Sequence, residues 1–305
     1  MQWKQIKTLF ILCFLVLNVY LLLMLYDKQT QSEYALPDTS DSTFDQKLES
    51  ENISISATLP NGDFNVPYLS LDRKSFTEEE LAFFEEADNQ EAEVINENFI
   101  LSHFENPISI PEDADSSLVS DLVKSNILLA DNYRFSSWNK DMNVLIFFQE
   151  KNELPIYYNQ SGIVLVYLNE ENEMIFYTQT MLGDDESPEE ESLIEPMEAI
   201  RTLFNENRLQ NGDEITEVNM GYHTRIPLET GEQGFSPTWT VTVNDEENFY
   251  VNAIENQVGS NDELDFLKES VDSTIERVQK LEESDLTEFL LSHLNQKLSS
   301  NQQSE

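Results

Sequence analysis

Thr8-Leu-Phe-Ile-Leu-Cys-Phe-Leu-Val-Leu-Asn-Val-Tyr-Leu-Leu-Leu-Met-Leu-Tyr26 is an unbroken stretch without a charged residue. At a helical rise of about 1.5 Å per residue it spans roughly 28 Å, close to the thickness of the hydrocarbon core of a bilayer. Lys4 and Lys7 precede it without an acidic residue. Because lysines favour the cytoplasmic side of a span, we predict a cytoplasmic N-terminus at residues 1–7, a transmembrane helix at residues 8–26 and an extracellular C-terminal part.

A cleaved signal peptide is the alternative interpretation of this stretch. Signal peptides have a shorter apolar region followed by small residues at the cleavage site. Here the apolar run is longer, and no small-x-small pattern occurs before Ala35, which favours a retained single-pass anchor. Cys13 follows the bulky Leu12, so the sequence does not indicate a lipid-modified cysteine, and a small apolar membrane residue is the simpler interpretation.

The charge of the chain excludes several kinds of partner. Asp and Glu number 59 against 17 Lys and Arg, for a formal net charge of −42. Such a polyanion repels nucleic acid and anionic polymers. The single cysteine lies in the predicted span, so the exterior has no disulfide and depends on an ordinary hydrophobic core.

The pattern of the exterior predicts an α+β fold, in which helices pack on antiparallel sheets. Residues 27–50 are polar and predict a tether. Residues 51–256 predict an extracytoplasmic domain, with two similar halves at 51–135 and 140–256. Residues 260–305 predict an acidic helical tail.

Local patterns place the elements of this domain. Alternating and capped segments predict a hairpin over residues 53–71, a helix after Thr77, a strand at Val94–Leu101, a helix at Ser116–Ala130, a hairpin over residues 163–181 and a helix opened by Pro196. Later strands are predicted at residues 215–223, 239–243 and 249–253, with a turn over residues 244–248.

The tail has apolar residues three or four positions apart from Leu264 to Leu281 and again from Leu286 to Leu294. This spacing predicts two helices. They either dock on the domain or present a short heptad-like seam to a partner.

Motifs for chemistry are missing from the sequence. His103, His223 and His293 lack zinc-site spacing, and no Gly-x-Ser-x-Gly, phosphate-binding glycine loop or extracellular thiol is present. We therefore predict no catalytic, cofactor-binding or metal-binding residues, and no enzyme. The acidic run at residues 184–191 lacks the ligand spacing of an EF-hand and predicts a solvated loop.

The predicted span contains two polar side chains. Asn18 lies mid-span and Tyr20 follows it. An amide in hydrocarbon either bonds a neighbouring helix or is tolerated by bonding its own backbone, so these residues are candidates for binding a partner within the membrane.

Segments at both ends of the chain resemble the YycI (WalI) family of Gram-positive bacteria. They are Met-Gln-Trp-Lys-Gln-Ile-Lys-Thr-Leu-Phe-Ile at the start, Leu-Asn-Val-Tyr-Leu in the span, Gly221-Tyr222-His223, Phe235-Ser236-Pro237-Thr238-Trp239-Thr240-Val241 and Tyr250-Val251-Asn252-Ala253. The resemblance covers about residues 1–256. The later segments also resemble YycH and PepSY domains, and packing of a hairpin explains their aromatic residues.

The resemblance implies a non-enzymatic regulator. Members of the family are single-pass proteins of the cell membrane. With the sister protein YycH they associate with the sensor histidine kinase WalK (YycG) and adjust its activity, largely through transmembrane helices. The WalK/WalR (YycG/YycF) two-component system governs cell-wall homeostasis. The alternative is a membrane-anchored extracellular module that binds a ligand or inhibits a protease, as the PepSY-like ending suggests, and an enzyme acting on wall polymers is disfavoured.

Overall fold

The computed structural model describes residues 7, 12, 14, 15, 17–20, 40–62, 64–111, 113–184, 189–227, 232–259 and 262–300. It divides into two compact units, one of Met1–Ser54 with Gln210–Gly212, and one of Ile55–Leu209 with Asp213–Glu305. The helices are α1 (Ser40–Ser50), α2 (Glu78–Glu85), α3 (Ser116–Lys124), α4 (Pro196–Asn205), α5 (Glu263–Val278) and α6 (Asp285–Ser300), with a 3-10 turn at Ala130–Asn132.

The first unit contains α1, which lies inside the predicted polar tether. Phe44 and Leu48, one helical turn apart, are buried, and so is Ile53 just after the helix. The part of the predicted tether at residues 40–50 is therefore helical, because two apolar residues among many polar ones are enough to bury one side of this short helix.

The second unit is dominated by one large sheet. Its strands are β1 (Ser54–Ile55), β2 (Asn65–Leu71), β3 (Gln90–Ile95), β4 (Phe99–Ser109), β5 (Tyr133–Asn139), β6 (Val144–Lys151), β7 (Leu154–Tyr157), β8 (Ile163–Leu168), β9 (Glu173–Thr180), β10 (Glu189–Ser192), β11 (Glu214–Pro227), β12 (Gln233–Val243), β13 (Glu247–Asn252) and β14 (Val258–Gly259). The main path runs β10-β2-β12-β11-β7-β6-β8-β9-β4-β3. These neighbours pair antiparallel except β11 with β7, which are parallel. The mixed α+β class, with a predominantly antiparallel sheet, is confirmed.

Both faces of the sheet are covered by helices. On one face α3 buries Val119 and Val123 against Phe147, Val166 and Tyr177. The opposite face packs on α5 and α6, whose buried apolar residues are Leu267, Val271, Ile275, Val278, Leu290 and Leu294. Of the two interpretations of the tail, the structure shows the docked one.

Short polar turns connect several strand pairs. Asn96 and Glu97 between β3 and β4, and Asn152 and Glu153 between β6 and β7, all have positive φ, from 52° to 64°. Asparagine tolerates this left-handed conformation better than most residues. The predicted single strand at Val94–Leu101 was therefore wrong, since the chain turns back at Asn96–Asn98 and forms a hairpin.

Other predicted elements match the structure closely. Thr77 and Glu80 form a capping box at the start of α2, and Pro196 is at the first turn of α4. The hairpin of β8 and β9 turns through residues 169–172. The turn predicted over residues 244–248 is shorter in the structure, residues 244–246, because β12 and β13 already pair from Val243↔Glu247 to Thr238↔Asn252.

Two more predictions need correction. Residues 53–71 do not form a hairpin, because β2 pairs with β10 and β12, which are distant in sequence. The predicted helix at Ser116–Ala130 ends at Lys124, where Ser125 Oγ and Asn126 Nδ2 both donate to the carbonyl of Leu122. Side chains that bond the last carbonyls of a helix compete with its continuation. The division into halves at 51–135 and 140–256 stays a prediction.

Candidate functional site

A cavity of about 300 Å³ lies on the sheet where β11, β12 and β13 are adjacent. Residues of β14 and of the turn before it also line the cavity. Its lining is mainly polar and includes His223, Thr224, Ser236, Thr238, Tyr250 and Asn252. Cavities of this size are at the lower end of those that hold small molecules.

Strand register explains why these side chains meet. His223 pairs with Ser236 and Gly221 with Thr238 across β11 and β12, while Thr238 pairs with Asn252 across β12 and β13. Paired residues share one face of a sheet, and so do alternate residues along one strand. The register therefore places His223, Ser236, Thr238 and Asn252 on the same face.

Aromatic rings form one wall beside the cavity. The ring centroids of His223 and Tyr250 are 4.4 Å apart, and those of His223 and Tyr157 are 5.4 Å apart. The Tyr250 hydroxyl donates to the Tyr158 hydroxyl at 3.2 Å. Gly221 makes this packing possible, because a Cβ at that position would collide with the Tyr157 ring. The pairing of Tyr157 with His223 across β7 and β11 fixes the order of the rings.

The site is electrically neutral near pH 7 apart from one carboxylate. Burial lowers the pKa of His223 to about 3, so the imidazole is uncharged. Burial also raises the pKa of Tyr158 to about 12 and raises the pKa of Tyr250 further. The described lining contains Glu255 and no lysine or arginine. It is thus poorly suited to phosphate or carboxylate ligands.

The side-chain hydroxyl of Ser236 is a buried polar group of this lining. The residue is 2% exposed, and its Oγ has no hydrogen-bond partner among the described residues. The neighbouring Thr238 hydroxyl donates to the Ser236 carbonyl at 3.1 Å. A buried hydroxyl without a partner costs about 1–3 kcal/mol, which a bound polar group would offset. Ser236 Oγ does not bond His223, so the described geometry does not show the hydrogen bond that joins an activated nucleophile to its base.

The two residues predicted to bind a partner are not among the lining residues of this cavity. Asn18 and Tyr20 are helical and exposed, Tyr20 to 60%. Most of the predicted span at residues 8–26 falls outside the described residues. Among the residues that are described, no helix is both long and apolar enough to cross a membrane. The transmembrane prediction therefore stays a prediction.

The acidic run also lies apart from the cavity lining. Asp184 forms an ion pair with Lys151 at 2.6 Å, which lowers the pKa of Asp184, and Glu189–Ser192 forms β10. Residues 185–188 lie outside the described part of the chain. Within the described ranges, no group of three or more His, Cys, Asp or Glu side chains is placed to hold a metal ion.

A family model described as "YycI protein" matches residues 31–254. The chain belongs to the YycI family. A comparison with curated protein sequences finds no match.

Two solved structures are similar to this YycI-family chain at low identity. An uncharacterized protein from Eubacterium rectale is 10% identical, with a TM-score of 0.42, over 69% of this chain and 91% of that one. YycH from Bacillus subtilis is 15% identical, with a TM-score of 0.36, over 62% of this chain and 52% of that one. The family match covers the cavity residues from His223 to Asn252 and ends before Glu255 and the two tail helices.

The cavity is not evident from the sequence. Most of its lining lies in the segments that resemble the family, which include His223, Ser236, Thr238, Tyr250 and Asn252, and the packing of a hairpin accounts for the aromatic residues of these segments without a cavity. The sequence signal for the cavity is that Ser236, Thr238 and Thr240 occupy alternate positions of β12. These small hydroxyl residues lie on the face opposite Trp239 and Val241.

Proposed function

We propose that the chain is a membrane-anchored, non-enzymatic regulator of a sensor histidine kinase of the WalK (YycG) type that controls cell-wall metabolism. In this proposal it acts together with a YycH-type partner. Its N-terminus lies in the cytoplasm, and the second compact unit, called the sheet domain below, lies outside the cell. The observation that carries the proposal is the YycI family match over residues 31–254.

The proposed contact with the kinase complex is made by the helix of residues 8–26. Asn18 and Tyr20 are the polar side chains that would bond a neighbouring helix. Interhelical hydrogen bonds in membranes contribute about 0.6–2 kcal/mol, so Asn18 biases the pairing of helices without determining it alone.

Membrane co-purification tests this proposal. Four tagged full-length proteins are compared: the wild type, Asn18→Leu, the neighbouring control Val19→Leu, and a chain whose residues 8–26 are replaced by an unrelated transmembrane segment. We expect kinase and YycH-type protein to accompany the wild type and Val19→Leu. Recovery should fall several-fold for Asn18→Leu and be lost with the replaced span.

The same comparison separates a second candidate function, an extracellular ligand-binding module. The observation that favours it is the polar cavity beside the buried Ser236 hydroxyl. If the chain with the replaced span keeps both partners and still changes kinase autophosphorylation, contact through residues 8–26 is refuted. The exterior then becomes the functional part, and cavity variants such as Ser236→Val are the next to test.

A further inference from the structure

The strand β3 (Gln90–Ile95) ends the main path of the sheet. Within the described residues it pairs only with β4. An edge strand leaves alternate N–H and C=O groups available to another chain. Proteins commonly use such an edge to bind an extended segment of a partner, which adds a strand to the sheet.

The edge lies in a groove of about 570 Å³ with apolar side chains on both sides. Leu81 and Phe84 of α2 line one side, and Leu286 and Leu290 of α6 line the other. Leu81, Phe84 and Leu286 remain partly exposed. Apolar surface beside an open edge provides pockets for the side chains of an added strand.

The two faces of β3 differ in chemistry. Ala92 and Val94 lie on the face that packs against α2, including its residue Leu81. Glu91 and Glu93 lie on the other face, where their partners in β4 are His103 and Leu101. Because side chains alternate along a strand, an added strand would face carboxylates with every second residue and apolar side chains with those between.

The charge of the groove selects the occupant. Glu85, Glu91 and Glu93 line it and are exposed, while the described lining contains no lysine or arginine. Burial lowers the pKa of His103, which keeps this side chain from supplying a compensating charge near neutral pH. A second copy of this strand would place like charges against Glu91 and Glu93, which is unfavourable in a sheet.

We propose that the β3 edge is a docking site for an extended segment of a partner protein in which lysine or arginine alternates with apolar residues. The basic residues pair with Glu91 and Glu93, and their aliphatic stems lie along the leucines of α6. The apolar residues pack on Ala92, Val94 and α2. This surface belongs to the sheet domain and is independent of contact through residues 8–26.

Fluorescence anisotropy with three synthetic peptides and the full-length protein tests the proposal. The first peptide alternates lysine and valine, the second has the same composition with the lysines in one block, and the third is the alternating peptide N-methylated at every second residue. The N-methylated peptide keeps the charge and loses backbone donors. We expect the alternating peptide to bind about tenfold more tightly than the other two at physiological ionic strength.

Two double variants locate the binding on the protein. Glu91→Lys with Glu93→Lys should weaken the alternating peptide about tenfold. Glu246→Lys with Glu247→Lys changes the net charge equally at two exposed positions, in the turn before β13 and at its first residue, and should change binding less than about twofold. Equal weakening by both pairs would show general attraction to a polyanion and overturn the proposal. Equal binding of the N-methylated peptide would overturn strand addition whether or not the variants fold.

Discussion

His223 is half-buried as a residue and its Nε2 atom is buried, and this makes the stability of the second unit depend on pH. Its pKa is about 3 in the folded protein and 6.5 in an exposed histidine. Between these values the unfolded chain binds a proton that the folded chain does not. Stability is therefore fully present above about pH 6.5 and falls as the pH is lowered toward 3.

The size of this loss follows from the two pKa values. Each pKa unit corresponds to about 1.36 kcal/mol, so at pH 4.5 the histidine destabilises the fold by up to about 2.7 kcal/mol. At pH 7 the same linkage gives only about 0.2 kcal/mol. Because His223 is partly accessible to solvent, we expect about 2 kcal/mol at pH 4.5.

Urea unfolding of full-length wild type and of His223→Gln, at pH 7 and pH 4.5, measures the effect. The fluorescence of Trp239, buried on β12, reports on the same sheet. Many carboxylates also titrate in this range, but they contribute equally to both proteins and cancel in the difference. The free energy of unfolding of the variant should fall about 2 kcal/mol less than that of the wild type on acidification.

A second replacement that does not titrate keeps this test independent of packing. At pH 7 the free energy of unfolding of His223→Phe can differ from that of His223→Gln because the two side chains pack differently. The change in this free energy between pH 7 and pH 4.5 should nevertheless be the same for both variants. If both variants lose as much stability as the wild type between pH 7 and 4.5, the imidazole is not held neutral by burial, and the description of the cavity as an uncharged site is wrong.

Two further substitutions test the packing of the second unit, each by urea denaturation. Leu294 of α6 is fully buried, so Leu294→Ala should lower the free energy of unfolding by about 2–5 kcal/mol. The control Leu118→Ala, at a residue 42% exposed, should lower it by less than about 0.5 kcal/mol. Equal losses would refute the docking of α6 on the sheet. Gly221→Ala should lower the free energy of unfolding by about 1–3 kcal/mol, because the added Cβ would meet the Tyr157 ring and lie 2.9 Å from the Pro155 carbonyl oxygen. The control Gly183→Ala, whose Cβ would be 3.6 Å from its nearest neighbour, should leave the stability nearly unchanged. An unchanged stability of Gly221→Ala would contradict the close approach of β7 to β11.

Elements with a strong local signal were predictable from the sequence. The capping box of Thr77 and Glu80, the proline at the start of α4 and the hairpin of β12 and β13 all depend on residues within a few positions of one another. The turn at Asn96–Asn98 was missed because Asn-Glu is a weaker turn signal than Asn-Gly. The partners of β2 were missed because pairing over more than a hundred residues leaves no local trace.

The cavity was not predictable for a related reason. Alternation of Trp239 and Val241 with Thr238 and Thr240 normally indicates one buried face and one solvated face. Here both faces of β12 are buried, since Thr238 and Thr240 are less than 10% exposed. The rings beside the second face come from separate strands, since Tyr157 of β7 reaches His223 of β11 through a parallel pairing and Tyr250 belongs to β13.

The two faces of β12 therefore have different consequences when they are changed. Trp239 packs edge-on against Phe64 and donates its indole N–H to the Ile194 carbonyl at 2.9 Å, so its loss removes core contacts and a buried hydrogen bond. The Ser236 hydroxyl has no such partner to lose. Substitution of Trp239 should thus affect folding more than the loss of the Ser236 hydroxyl does.

The tail contributes to the same site although it follows the family match. Phe266 of α5 contacts the Tyr158 ring edge-on at 5.4 Å, and Tyr158 in turn accepts the hydrogen bond from Tyr250. Val258 and Gly259, just before α5, also line the cavity. Val258 and Gly259 form β14, which pairs with Val251 and Tyr250 of β13, so the chain runs beside Tyr250 just before α5. The docked tail therefore packs on the ring wall beside the cavity, so loosening α5 from the sheet should also loosen this side of the cavity.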